Sequence, residues 1–204
     1  MQELRMAMAV FVTVLLPMVL IFWLVIHGGI TIWRRYAPSI AYLVAGLAML
    51  LIGSLSWRYK DALIGQDLGT KLVPIIVGAA IYLMMLAASR EVRRHLNLRT
   101  FAGMPEIENL STDLILEGPY RYVRHPRYFL VAVGIFGWCL VTNFSGTYLL
   151  GAASVLGFLL VAAMEERELL GRFGGAYQEY QNRVPKLFPS VGNLPHIFFP
   201  TRKP

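Results

Sequence analysis

The chain has 204 residues, 56% of them hydrophobic and only 15% charged, with a mean hydropathy of +0.55. Soluble domains carry about a quarter charged residues, so this composition excludes an ordinary soluble globule. The single cysteine, Cys139, excludes an intrachain disulfide framework and a cysteine-based metal site, and the formal charge of +7 must be judged from where the basic residues fall.

In chain order, apolar blocks suited to a bilayer core of about 30 Å occupy residues 6–26, 37–57, 72–89, 129–143 and 146–164. They predict an all-α integral membrane protein of about five transmembrane helices. Residues 1–71 form a two-helix N-terminal segment and residues 72–204 a core with a cytoplasmic C-terminal helix and tail. The first block is longer than a signal-peptide apolar region and ends at Ile26-His27-Gly28-Gly29 without a small-x-small cleavage pattern, so it reads as a retained span. Pro17 should kink it. Gly46, Gly53, Gly134, Gly137, Gly151 and Gly157 read as small residues that let helices approach closely.

Alternate loops fall on opposite faces of the membrane. Arg5, Arg58, Lys60 and Lys71 lie on one face, and the other fifteen of the 19 Lys and Arg residues lie on the opposite one. The positive-inside rule then puts the N-terminus outside and the C-terminus inside, so the polar stretches 90–128 and 165–204 share the cytoplasmic face. The basic excess is thereby explained without a nucleic-acid partner. The short connection 142–145 forces the fourth and fifth spans into an antiparallel hairpin, which brings Arg124 and Glu165 to one membrane level.

Two strings on that face carry chemistry. The first is Gly118-Pro-Tyr-Arg-Tyr-Val-Arg-His-Pro-Arg-Tyr128, just ahead of the fourth span. Pro126 suits a first helical turn and biases His125 toward an extended backbone, while Arg124 and Arg127 stand at the positive end of a helix dipole and call for an anion. The second string is Glu165-Glu166-Arg167-Glu168, directly after apolar Val161-Ala162-Ala163-Met164. Acids at the inner membrane boundary need a cation, and across the hairpin that cation is Arg124, a bound ligand, or both. Glu168 and Arg172, at i,i+4, read as a solvated pair on a helix face. A helix broken at Gly174-Gly175 and stopped by Pro185 should follow, with Tyr177 and Tyr180 as interface anchors. His27, His95 and His196 are isolated in sequence, which argues against a metal. Met104-Pro105-Glu106 reads equally well as a pocket wall or a turn.

The string ending at Tyr128, a helical hairpin, and the pattern EExxLxxxFGxxYxxYxxxVP from Glu165 to Pro185 together resemble the isoprenylcysteine carboxyl methyltransferase family and its relatives, the phospholipid N-methyltransferases. The resemblance covers roughly residues 72–189 and implies an S-adenosylmethionine-dependent membrane enzyme with a cytoplasm-facing cofactor pocket. A lipophilic small molecule or prenylated substrate would enter from the lipid bilayer. It also implies cofactor contacts at Tyr120, His125, Pro126, Arg127, Tyr128 and Glu165, and along Asp113, Leu114 and Ile115. Arg124 and Glu166 are the catalytic candidates, with Arg124 orienting acceptor or cofactor. No metal is implied.

Two positions depart from the resemblance. The prenylcysteine enzymes place a second arginine one turn before the paired glutamates, where this chain has Val161, and commonly a glycine where it has Phe129. The first departure speaks against a prenylcysteine carboxylate and leaves amine or thiol acceptors open. The competing readings are an NADPH-dependent sterol-type reductase and a noncatalytic membrane scaffold or transporter.

Overall fold

The computed structural model describes residues 1–36, 38–94 and 113–199. Within them the chain is helical: α1 (Gln2–Gly28), α2 (Ile30–Trp33), α3 (Pro38–Arg58), α4 (Lys60–Ile64), α5 (Leu72–Arg94), α6 (Pro126–Thr142), α7 (Ser145–Phe173), α8 (Gly175–Arg183) and α9 (Leu194–Phe198). Single 3-10 turns at Gly118–Arg121 and Val191–Asn193 join them. His95 and Met104-Pro105-Glu106 lie outside the described residues.

The five expected apolar blocks all appear as helices, four of them long and apolar enough to cross a membrane, with α6 a shorter apolar helix of 17 residues. The protein is therefore a multi-pass integral membrane protein. Several helix ends run past the hydropathy limits. Each of α1, α5 and α7 continues past its apolar block, and α7 reaches Phe173 where hydropathy stops at Met164. α1 also passes through Pro17 as one helix.

α6 is the best-buried span and packs on α5 through a glycine contact. A Cβ added at Gly78 would lie 2.4 Å from the Gly137 carbonyl oxygen, and one at Gly137 would lie 2.8 Å from the Gly78 oxygen. Gly134, Gly151, Gly53 and Gly157 meet Met85, Cys139, Met18 and Leu20, as close-packing glycines should. Gly46 meets nothing within 4 Å, so its expected packing role is corrected: it faces open space.

The α6–α7 connection is the tight antiparallel hairpin expected, with Asn143 in the left-handed region at φ 54°. Asn tolerates that conformation better than most residues because its short side chain bonds locally. Arg5 locks this end of the bundle. Its side chain is 2% exposed, pairs with Asp67, donates to the Thr142 carbonyl at 2.9 Å, and lies over the Phe144 ring. The opposite end gathers the two polar strings at 118–128 and 165–168, and the site forms there.

Candidate active site

Glu166 sits at the centre of a cluster that the sequence scatters over sixty residues. Arg124 Nε donates to its Oε1 at 2.7 Å, His125 Nε2 lies 3.2 Å from the same oxygen, and Lys186 Nζ is 2.8 Å from Oε2. The Glu166 side chain is 7% exposed and that of Arg124 is 9% exposed. A carboxylate so placed stays ionised only with such partners, because removing an ion from water is costly.

Backbone bonds hold these groups in register. The Arg124 and His125 amides donate to the Pro185 and Lys186 carbonyls at 2.9 and 3.0 Å, so the segment before α6 runs beside the segment after α8. Arg124 Nη1 also donates to the Gln181 and Val184 carbonyls, at 2.7 and 2.6 Å, which secures the end of α8. Gly174, at φ 54° and ψ −127°, makes the turn between α7 and α8 that folds α8 back to meet them. Only glycine visits that backbone region freely.

Glu165 and Glu168, three residues apart, share a helix face that points away from Lys186 and toward the end of α1. Glu165 Oε2 lies 3.6 Å from His125 Nδ1, too far for a hydrogen bond, and has no hydrogen-bond partner. His125 thus stands between two carboxylates. Burial opposes its charged form, yet Glu165 and Glu166 more than offset this and hold its pKa above the ordinary imidazole value. Burial also pushes the phenols of Tyr120, Tyr177 and Tyr180 up, so all three remain protonated donors.

Next to this cluster lies a cavity of about 600 Å³ between α1, α3, α5, α6 and α7. Phe22, Trp23, Met49, Leu86, Val131 and Phe158 make its apolar wall. Its polar lining comes from Ser89, Arg93, Arg127 and Tyr128. Arg127 and Tyr128 belong to both environments: the Arg127 guanidinium lies 4.3 Å from the Trp23 ring centroid and donates to the Tyr128 hydroxyl at 3.0 Å. Tyr128 in turn stacks on His125 and Phe158, each at 5.6 Å.

Comparison with known families matches residues 73–176 to the family described as phospholipid methyltransferase. The chain belongs to the phospholipid methyltransferase family. Methanethiol S-methyltransferase 2 of Bradyrhizobium diazoefficiens is 38% identical over 169 residues, covering 78% of this chain and 64% of its own length. Methanethiol S-methyltransferase of Mycobacterium tuberculosis is 37% identical over 173 residues, 77% of this chain and 67% of the relative. Protein-S-isoprenylcysteine O-methyltransferase of Schizosaccharomyces pombe is 36% identical over 83 residues, 38% of this chain and 34% of the relative. The chain thus spans somewhat less than two thirds of the Bradyrhizobium protein. No solved structure matches it.

Within this phospholipid methyltransferase family member, Arg124, His125, Arg127, Tyr128, Glu165 and Glu166 come together, and Pro126 starts α6 beneath them. Tyr120 joins through its backbone, whose carbonyl accepts from the Tyr180 hydroxyl at 2.6 Å. Asp113 is exposed and Leu114 and Ile115 are half-buried in coil; among the described residues none of the contacts above involves them.

Two sequence readings are corrected. Tyr177 and Tyr180 are not interface anchors but buried residues, 1% and 5% exposed, packed edge-on against each other. Glu168 does not pair along its own helix: it is buried and meets Arg34 at 2.6 Å and His27 Nδ1 at 3.7 Å. His27, isolated in sequence, is buried against Trp23 at this same end. Lys186 was missed altogether. Its signal was its position directly after the helix-stopping Pro185, the residue whose carbonyl receives the Arg124 amide.

Proposed function

We propose that the protein is an S-adenosylmethionine-dependent methyltransferase that methylates the sulfur of a lipophilic thiol. The observation that supports this reading is the junction of the apolar cavity with the carboxylate and histidine cluster through Arg127 and Tyr128. Pockets of this volume suit a small molecule held by apolar walls and oriented by a few polar groups.

The residues present fit the cofactor. A shielded Glu165 oxygen without a hydrogen-bond partner suits an ammonium, and the Tyr177 hydroxyl is a second buried group in want of one. Arg127, in the first turn of α6, together with the positive end of that helix, suits a carboxylate. Once bound, S-adenosylmethionine supplies an electrophilic methyl group. The work of this chain is then to align the acceptor and to keep water from it. Arg124 and Glu166 do so indirectly, by fixing His125 and α8 around the pocket.

A thiol acceptor is favoured over a carboxylate on two grounds. Val161, one turn before Glu165, is fully buried, and the position that would need a cation for a prenylcysteine carboxylate has none. The relatives that align with most of this chain are named for action on methanethiol. Methanethiol would leave most of the cavity empty, so a bulkier thiol fits it better. The fifteen-to-four division of basic residues supports a site on the cytoplasmic face, with the N-terminus outside.

The test uses the full chain in lipid vesicles with methyl-labelled S-adenosylmethionine and three acceptors: a long-chain alkanethiol, a farnesylcysteine analogue and phosphatidylethanolamine. Label is expected in a base-stable thioether. Label released as methanol by base, or recovered in phospholipid headgroups with none in thioether, overturns the thiol reading.

A further inference from the structure

Methylating a neutral thiol releases a proton, and none of the residues placed around the cofactor is suited to take it. His125 has each ring nitrogen facing a carboxylate, an arrangement that favours its charged form and leaves no lone pair for a new proton. Arg124, Arg127 and Lys186 are cations, and the Tyr128 hydroxyl is engaged by Arg127.

His27, from the last turn of α1, differs from His125 in having a carboxylate at one ring nitrogen only. It is 5% exposed, and neither ring nitrogen has a hydrogen-bond partner. In its neutral form either tautomer leaves one nitrogen able to accept a proton. Its ring lies nearly parallel to the Trp23 indole, 5.6 Å away at 21°, and Trp23 is a wall of the cavity. The end of α1 packs on α7 at the edge of the glutamate cluster, since a Cβ on Gly28 would come within 3.0 Å of Met164 Cε. Glu168 stands behind the imidazole, its Oε2 3.7 Å from Nδ1, and Arg34 Nη2 fixes the other carboxylate oxygen at 2.6 Å. Among the described residues, Glu165 from α7 and Arg127 from α6, across Trp23, are further charged groups near it.

We propose that His27, with Glu168 facing its Nδ1, is the proton acceptor for the thiol substrate; this rests on the thiol reading above. The S–H bond breaks as its proton moves to His27. The freed sulfur pair forms the bond to the methyl carbon. The bond from that carbon to the sulfonium breaks, and its electron pair stays on the cofactor sulfur. The imidazolium left behind is stabilised by the Glu168 carboxylate and returns its proton to water at the cytoplasmic end, where Arg34 reaches the surface. His27 lies outside the stretch that matches the family, 73–176, so the inference stands on its place in this fold.

The experiment compares two acceptors of similar size in wild-type, His27→Gln and His27→Ala proteins in vesicles: an alkanethiol, protonated at neutral pH, and a thiophenol carrying an electron-withdrawing group, already ionised. Loss of a general base should lower kcat with the alkanethiol about 100-fold or more. With the ionised thiophenol it should change kcat little, and S-adenosylmethionine affinity by calorimetry should match wild type. Equal loss with both thiols, or weakened cofactor binding in both variants, overturns the proposal and makes His27 a packing residue. If the wild type methylates neither thiol, the thiol reading itself fails, and the proposal falls with it.

Discussion

Lys186 and Arg124 meet the same carboxylate, that of Glu166, from opposite sides, Lys186 at 2.8 Å and Arg124 at 2.7 Å. One glutamate thereby ties the segment before α6 to the segment after α8. Glu166→Gln keeps the shape but leaves the buried Arg124 without its counter-charge and His125 with Glu165 alone. Breaking a buried pair from one side costs about 3–5 kcal/mol, so thermal unfolding in detergent should show a large loss of stability. Lys186→Ala should cost much less, because the lysine side chain is 33% exposed.

His125 makes stability depend on pH. Its folded pKa is raised, so the contribution of the imidazolium between Glu165 and Glu166 is complete below the unfolded value of about 6.5. It fades as pH rises through the higher folded value. Melting temperature measured from acid to alkaline pH should fall on the alkaline limb, and His125→Gln should flatten that limb while lowering the curve at neutral pH.

Much of this fold could be read from the sequence, because each span is a block of apolar residues that no soluble arrangement could bury. The ends of the helices were less legible. Hydropathy stops at Met164, whereas α7 continues because Glu166 and Glu168 find cations contributed by residues 124, 186 and 34. Nothing local to the glutamates records those partners. Arg124, His125 and Glu165 were recognisable because a proline and a membrane boundary constrain them where they stand. Tyr177 and Tyr180 differ from their sequence reading for the opposite reason: their burial depends on the reversal at Gly174, which is a tertiary fact, and the burial of His27 likewise depends on where α1 ends. Phe129, a departure from the related enzymes, is accommodated by packing near Phe188 and Phe198 of the C-terminal segment.

The α5–α6 contact should tolerate no side chain. Gly78→Leu would drive carbon atoms into the Gly137 backbone, and overpacking of this kind costs typically about 1–3 kcal/mol. Unfolding in detergent should show that loss, while Gly46→Leu, with open space around it, should leave stability unchanged.

Filling the cavity should separate acceptor binding from cofactor binding. Val131→Trp adds bulk to the cavity wall, which neither Glu165 nor His125 lines. The KM for a long-chain thiol should rise about tenfold or more, with S-adenosylmethionine affinity unchanged.

The cofactor site is tested most directly by calorimetric titration of S-adenosylmethionine into the detergent-solubilised wild-type, Glu165→Gln and His125→Gln proteins. Wild type should bind, and each substitution should weaken binding about 30-fold, the equivalent of about 2 kcal/mol for losing one partner of a desolvated charge pair. Equal affinity in all three proteins, or no binding by the wild type, would contradict a cofactor site built on the carboxylate and histidine cluster.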